Sequence, residues 1–151
     1  MPTELEGVVR MPVVYEPWYV YKVQLVASPA SYEFFDMLFP DASGNFDREV
    51  TDDKVLDQGY CFALEKFTTG DTEVQVAAPG SAVPMIASGV IRPFGLVKFN
   101  FAAGDQSCVE CLAADLAAGR CIGRLSNHHE DHENIRVTAA NDVVIIRTGL
   151  S

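Results

Sequence analysis

The sequence predicts a mainly β fold: a small barrel or sandwich of short antiparallel strands, with one short helix near 31–39 and an extended N-terminal arm. Turn-forming residues recur about every ten positions beyond residue 58, at Gly59, Gly70, Pro79-Gly80, Gly89, Gly104, Gly119 and Asn141. Between them lie short apolar runs at 60–67, 73–77, 83–87, 96–101, 108–113, 121–125, 135–138 and 143–147, each of strand length. Regular spacing of that kind indicates a sandwich or a small barrel.

The elements before residue 59 are more varied. Pro12 and Pro17 leave the first stretch extended but unable to donate to a strand ladder, as in an arm or at a sheet edge. Lys22 and Gln24 alternate with apolar neighbours, so 19–27 reads as a strand. In 31–39, Ser31 is a cap, Glu33 stands in a first turn, and Phe34, Phe35, Leu38 and Phe39 recur at helical spacing before Pro40. From 40 to 58 the chain is polar, carries six acidic residues and reads as a loop or exposed hairpin. No repeat or linker divides the 151 residues, so a single domain 1–151 is expected, with 1–30 as arm or edge strand and 59–151 as the barrel core.

Composition narrows the function classes. A hydrophobic fraction of 48% with 21% charged residues is that of a globular chain with a packed core. The formal charge of -10 would repel a phosphate backbone, so no direct nucleic-acid partner is expected. No apolar run approaches the roughly 20 residues of a bilayer span, and no membrane partner is expected. The N-terminus lacks the basic and apolar regions of a secretory signal, so synthesis in a cytosol is expected. Cys61, Cys108, Cys111 and Cys121 then read as free thiols of a reducing compartment.

Candidate chemistry concentrates in 108–132. Cys108-Val-Glu-Cys111 has the spacing of a zinc knuckle, and Cys121 with His128, His129 or His132 could complete a Cys₃His set. A second ligand pair at a defined separation is missing, and on a strand Cys108 and Cys111 point to opposite faces. His128-His-Glu-Asp-His132 places Glu130 one position too late for the zincin mechanism. Asp41 to Asp52 supplies oxygens at calcium-loop positions, yet Phe46 occupies the place where the turn needs glycine, and Asp52 the place of the bidentate glutamate. Neither a nucleophile elbow nor a phosphate-cradling glycine loop is present, so no catalytic residue and no cofactor are assigned. The aromatics Tyr15, Trp18, Tyr19 and Tyr21 form a dense cluster of the kind enriched at protein interfaces, and they are the candidate partner-contact residues.

The C-terminal part, from Gly89 to Ser151, runs through Ala114-Asp-Leu-Ala-Ala-Gly-Arg-Cys-Ile-Gly-Arg-Leu125 and a polar loop to Ile135-Arg-Val-Thr-Ala-Ala-Asn-Asp-Val-Val-Ile-Ile-Arg-Thr-Gly149. This stretch resembles the small β-barrel decoration, or cement, proteins of tailed-bacteriophage capsids. The resemblance implies a non-enzymatic virion protein on the capsid exterior, a homotrimer that binds the major capsid protein and stabilises contacts between its subunits. That family offers no invariant ligand motif to carry over to this chain. The alternative is a metal- or small-ligand-binding β-barrel, an enzyme among the options, built on the Cys/His cluster at 108–132.

Overall fold

The computed structural model describes residues 20–48, 59–100, 107–128 and 137–149. Its first sheet starts at β1 (Val20–Gln24), which pairs antiparallel with β5 (Glu73–Ala77). β5 then pairs with β4 (Cys61–Ala63), β4 with β2 (Met37–Pro40), and β2 with β3 (Phe46–Arg48), all antiparallel. A parallel bridge between Leu25 and Phe46 brings the end of β1 back to β3, so this sheet curls until its edges nearly meet.

The curl explains why β2 and β4 read as unbroken apolar runs. Along β2, Met37 and Phe39 enter a core shared with the second sheet, while Leu38 faces a smaller core inside the curl. β4 does the same, with Phe62 in the shared core and Cys61 and Ala63 in the smaller one. Strands buried on both faces lose the polar alternation that marks a half-exposed strand. β5 keeps it, Glu73 and Gln75 being exposed and Val74 and Val76 buried.

The helix expected near 31–39 is corrected. Its backbone donors are taken by neighbours: Phe35 N–H bonds the Ala63 carbonyl at 2.7 Å, and Ala63 N–H returns a bond to Asp36 at 2.9 Å. Phe35 has φ 67°, incompatible with a right-handed helix, and the residues after it continue as β2. The polar 40–48 segment forms the β2–β3 hairpin, in which Asp41 Oδ1 accepts from the Ser43 and Asn45 N–H groups at 2.8 and 3.0 Å.

The second sheet is a closed barrel in the order β10-β6-β8-β7-β9. Its strands are β6 (Ala82–Ala87), β7 (Leu96–Phe99), β8 (Ser107–Glu110), β9 (Gly123–His128) and β10 (Val143–Thr148). The barrel therefore begins at Ala82, whereas 61–77, assigned to it by the sequence, belongs to the curled sheet. One pair, β6 with β8, is parallel and spans only Ile86–Ala87 against Ser107–Cys108, a departure from the all-antiparallel expectation. β6 is buried throughout, and Pro84 within it lies beyond the reach of β8, which leaves one side of the proline without a strand to satisfy. At Gly123 a Cβ would collide with the Arg147 carbonyl oxygen, so β9 and β10 approach only because this residue has no side chain. The strand expected at 135–138 is not formed in its described part: Thr138 instead ties two loops, its Oγ accepting from Ile91 N–H at 2.8 Å and donating to the Gly89 carbonyl at 2.7 Å.

The two sheets share the larger core, where Phe35, Met37, Phe39 and Phe62 meet Val83, Met85, Leu125, Val144 and Ile146. The chain crosses between them at 78–81, where Gly80 N–H donates to Thr148 Oγ and Thr148 N–H to the Ser81 carbonyl. The Tyr60 hydroxyl hydrogen-bonds the backbone of Gly149 at the same junction, and burial raises its pKa.

Candidate functional site

The structure does not bring Cys108, Cys111 and Cys121 together as a ligand set. Cys108 N–H and carbonyl lie in β8, and its side chain is fully buried in the shared core, where desolvation pushes the thiol up to about 12. Cys61 is likewise buried and pushed up to about 12. Cys111 and Cys121 are disulfide-bonded to each other, which corrects the expectation of four free thiols. The reason lies in barrel order. β8 and β9 flank β7, so Cys111 N–H reaches the Leu96 carbonyl at 2.8 Å while Ile122 N–H reaches Val97 from the other side at 2.9 Å. The connection from β8 to β9 thus crosses one end of β7, and the two cysteine Cα atoms come within 6.4 Å, inside the disulfide range. His128 closes β9; His129 and His132 lie outside the described residues. Among the described residues no group of three or more Cys, His, Asp or Glu side chains is placed to hold a metal ion.

The disulfide encloses α1 (Ala113–Ala117), the one helix among the described residues. Asp115, 4% exposed, is its anchor. One carboxylate oxygen accepts from Leu112 N–H at 3.0 Å, closing the first turn; the other accepts from Lys98 Nζ at 3.0 Å and faces Arg120 at 3.5 Å. The Leu112 N–H leads in holding the Asp115 carboxyl below its ordinary range, against the opposing effect of burial and with Lys98 and Arg120 adding to it. This short helix is fixed by a covalent link and a buried charge cluster together, although a five-residue helix would not persist alone.

Of the aromatic partner-contact candidates, Tyr15, Trp18 and Tyr19 lie outside the described residues. Tyr21 stands on β1, an edge strand, opposite Val76 and 55% exposed. Asp41 and Asp47 of the calcium-like loop spend carboxylate oxygens on local backbone N–H groups, and residues 49–52 of that loop fall outside the described set.

Two surface features escaped the sequence reading. On the curled sheet a polar cleft of about 390 Å³ is bordered by Lys22, Glu65, Lys66, Asp71 and Glu73. Near it lies the buried Tyr32 hydroxyl, without a hydrogen-bond partner among the described residues; burial first, then Asp71 and Glu65, push it up to about 12. At the end of the barrel where β7 starts and β8 finishes, Val90, Phe94, Leu112, Leu116 and Val137 are all exposed. Beside Phe94 a smaller cleft of about 130 Å³ is lined by Arg124, Leu125, Ser126 and Arg147. Arg124 and Arg147 are cross-strand neighbours in the β9–β10 register. The signal for this end was the tetrapeptide Arg92-Pro-Phe-Gly95, a turn with phenylalanine where glycine is usual.

No family model matches the chain, and no curated protein matches it. Among the described residues no helix is long and apolar enough to cross a membrane.

Proposed function

We propose that the protein is a non-enzymatic capsid decoration protein that binds the outer surface of a bacteriophage head, as a homotrimer, and stabilises contacts between major capsid subunits. The observation that carries this reading is the barrel itself: the region of resemblance, 89–151, supplies β7 to β10 of a small closed barrel of short strands. A second support is β1, an edge strand with exposed Val20 and Tyr21 that follows the Pro-interrupted segment, and strand addition at such an edge is a common binding mode. On this reading the protein is made in the host cytoplasm and ends on the virion exterior, with no cofactor and no direct nucleic-acid contact.

The test is co-sedimentation of the purified chain with phage heads, run beside its solution mass by light scattering. Saturable association and a trimeric mass are expected; a monomer at every concentration that pellets with no shell would sink the reading. The small-ligand alternative draws on the polar cleft of the curled sheet more than on the cysteines, two of which are spent in the disulfide. Stoichiometric metal on elemental analysis of the oxidised protein would favour it.

A further inference from the structure

Among the described residues three turns of one form carry a residue other than glycine at the corner, and these corner residues differ in how the conformation is tolerated. In each, the N–H of the fourth residue bonds the carbonyl of the first: Asp36 to Glu33 at 3.2 Å, Gly95 to Arg92 at 2.9 Å, Asp142 to Ala139 at 3.2 Å. The third residue has positive φ each time, 67° at Phe35, 59° at Phe94 and 72° at Asn141. Asparagine enters this region readily; a bulky side chain does so only when something else holds it there. For Phe35 the cause is plain, since the ring is 1% exposed and packs in the shared core. Phe94 is 61% exposed, so the isolated chain gains little burial from a strained backbone that points its ring outward.

The residues around it carry positive charge and exposed apolar area. Arg124 donates to the Phe94 carbonyl, a neutral group, at 3.0 Å, and among the described residues no carboxylate pairs with it. Directly across the ladder stands Arg147, which makes contacts of its own, so two like charges face each other where opposite charges would stabilise the pair. The cleft between them is capped by Phe94. Past the end of β8, Leu112 at the start of α1 is 72% exposed and Leu116 on α1 is 51% exposed, on a segment fixed by the disulfide and by Asp115. A surface held rigid in advance loses little conformational freedom when it is covered.

The geometry points to this end of the barrel, with Phe94 at its centre and Arg124 beside it, as a preformed docking surface for an acidic protein segment that carries projecting apolar side chains. Charge selects the occupant. In a chain of formal charge -10 the two arginines form a local basic site, and a partner bearing carboxylates next to an apolar residue would satisfy Arg124 and cover Phe94 together. Apolar contact alone would bury Arg124 with no carboxylate beside it, which is unfavourable. The surface is argued from its own residues and goes beyond the decoration reading, since it holds for any protein partner of that chemistry.

The experiment uses the full oxidised chain and a fluorescein-labelled peptide in which leucines are interleaved with glutamates, read by fluorescence anisotropy. Its companions are the same peptide with glutamines, phosphatidylglycerol vesicles and a single-stranded oligonucleotide. Saturable binding of the glutamate peptide is expected, weakened about tenfold or more by Phe94→Gly and by Arg124→Gln, as for a residue at the centre of an interface. Thermal unfolding separates docking from packing: glycine adopts positive φ freely, so Phe94→Gly is expected to keep or raise the midpoint while binding is lost. Four results would each overturn the inference: no saturable binding of the glutamate peptide, equal binding of the glutamine peptide, preference for vesicles or oligonucleotide, or a midpoint several degrees lower for Phe94→Gly with binding intact.

Discussion

The curled sheet and the barrel bury their residues by different means and carry charge differently. Residues 1–80 hold five basic and fourteen acidic side chains, whereas 81–151 hold six and seven, so nearly all the net charge belongs to the part of the sequence that contains the curled sheet. The ion pair between β1 and β5, Lys22 with Glu73 at 3.5 Å, is exposed on both sides, while that of Lys98 on β7 with Asp115 on α1, at 3.0 Å, is largely buried. One half carries most of the negative charge; the other is nearly neutral and places exposed apolar side chains at one end. What joins them is the shared core, and the lesson is that the surfaces can diverge because the interior does not.

The largest expected effect tests that common interior. Phe62, fully buried between β4 and the barrel, should cost about 4 kcal/mol when replaced by alanine. Near-UV circular dichroism and intrinsic fluorescence should still report a single transition for Phe62→Ala; two separated transitions would mean that the halves unfold independently.

Next in size is Asp115→Asn, which leaves Lys98 and Arg120 without their buried carboxylate and should cost about 3 kcal/mol at pH 7. The sign with pH follows from the lowered pKa. The contribution is complete above the unfolded value of 3.8 and is lost as pH falls through the lower folded value, so the wild type loses this part of its stability below about pH 4 and the variant has none to lose. Urea midpoints measured at pH 7 and pH 3 should therefore differ less for the variant than for the wild type.

Reduction of Cys111–Cys121 opens a short loop and should lower stability by about 2–3 kcal/mol, measured as a shift in urea midpoint with and without reductant. Cys61 and Cys108 should resist alkylation at pH 8 until the chain unfolds, because their thiols remain protonated and enclosed. The smallest effect is expected on the curled sheet. Lys22→Ala should change stability by no more than about 0.5 kcal/mol, since the pair it breaks is screened by water. A loss as large as that of Asp115→Asn would erase the contrast between the two halves.

Much of the strand pattern was legible in the residues. The runs at 73–77 and 143–147 fall on β5 and β10 because alternation or β-branched content marked them and turns enclosed them. The 31–39 helix failed for a physical reason: Phe34, Phe35, Leu38 and Phe39 suit a helix stripe and a strand buried on both faces equally well, and only the pairing with β4 decides between them. α1 was hidden because five residues are too few to leave a periodic signal. The disulfide depends on β7 lying between β8 and β9, an order that one sequence does not reveal. Phe94 was the hardest to read, since its interest lies in a backbone angle together with exposure.

The loop closed by Cys111 and Cys121 contains Arg120, a trypsin site within a ring of covalent bonds. A single cut after Arg120 would divide the chain into 1–120 and 121–151, with β9 and β10 on the shorter fragment. Yet the intact mass would rise by only one water, and the fragments would separate on a denaturing gel only after reduction. Where the disulfide is closed, the chain can be nicked at this point and still keep both pieces of its barrel tethered.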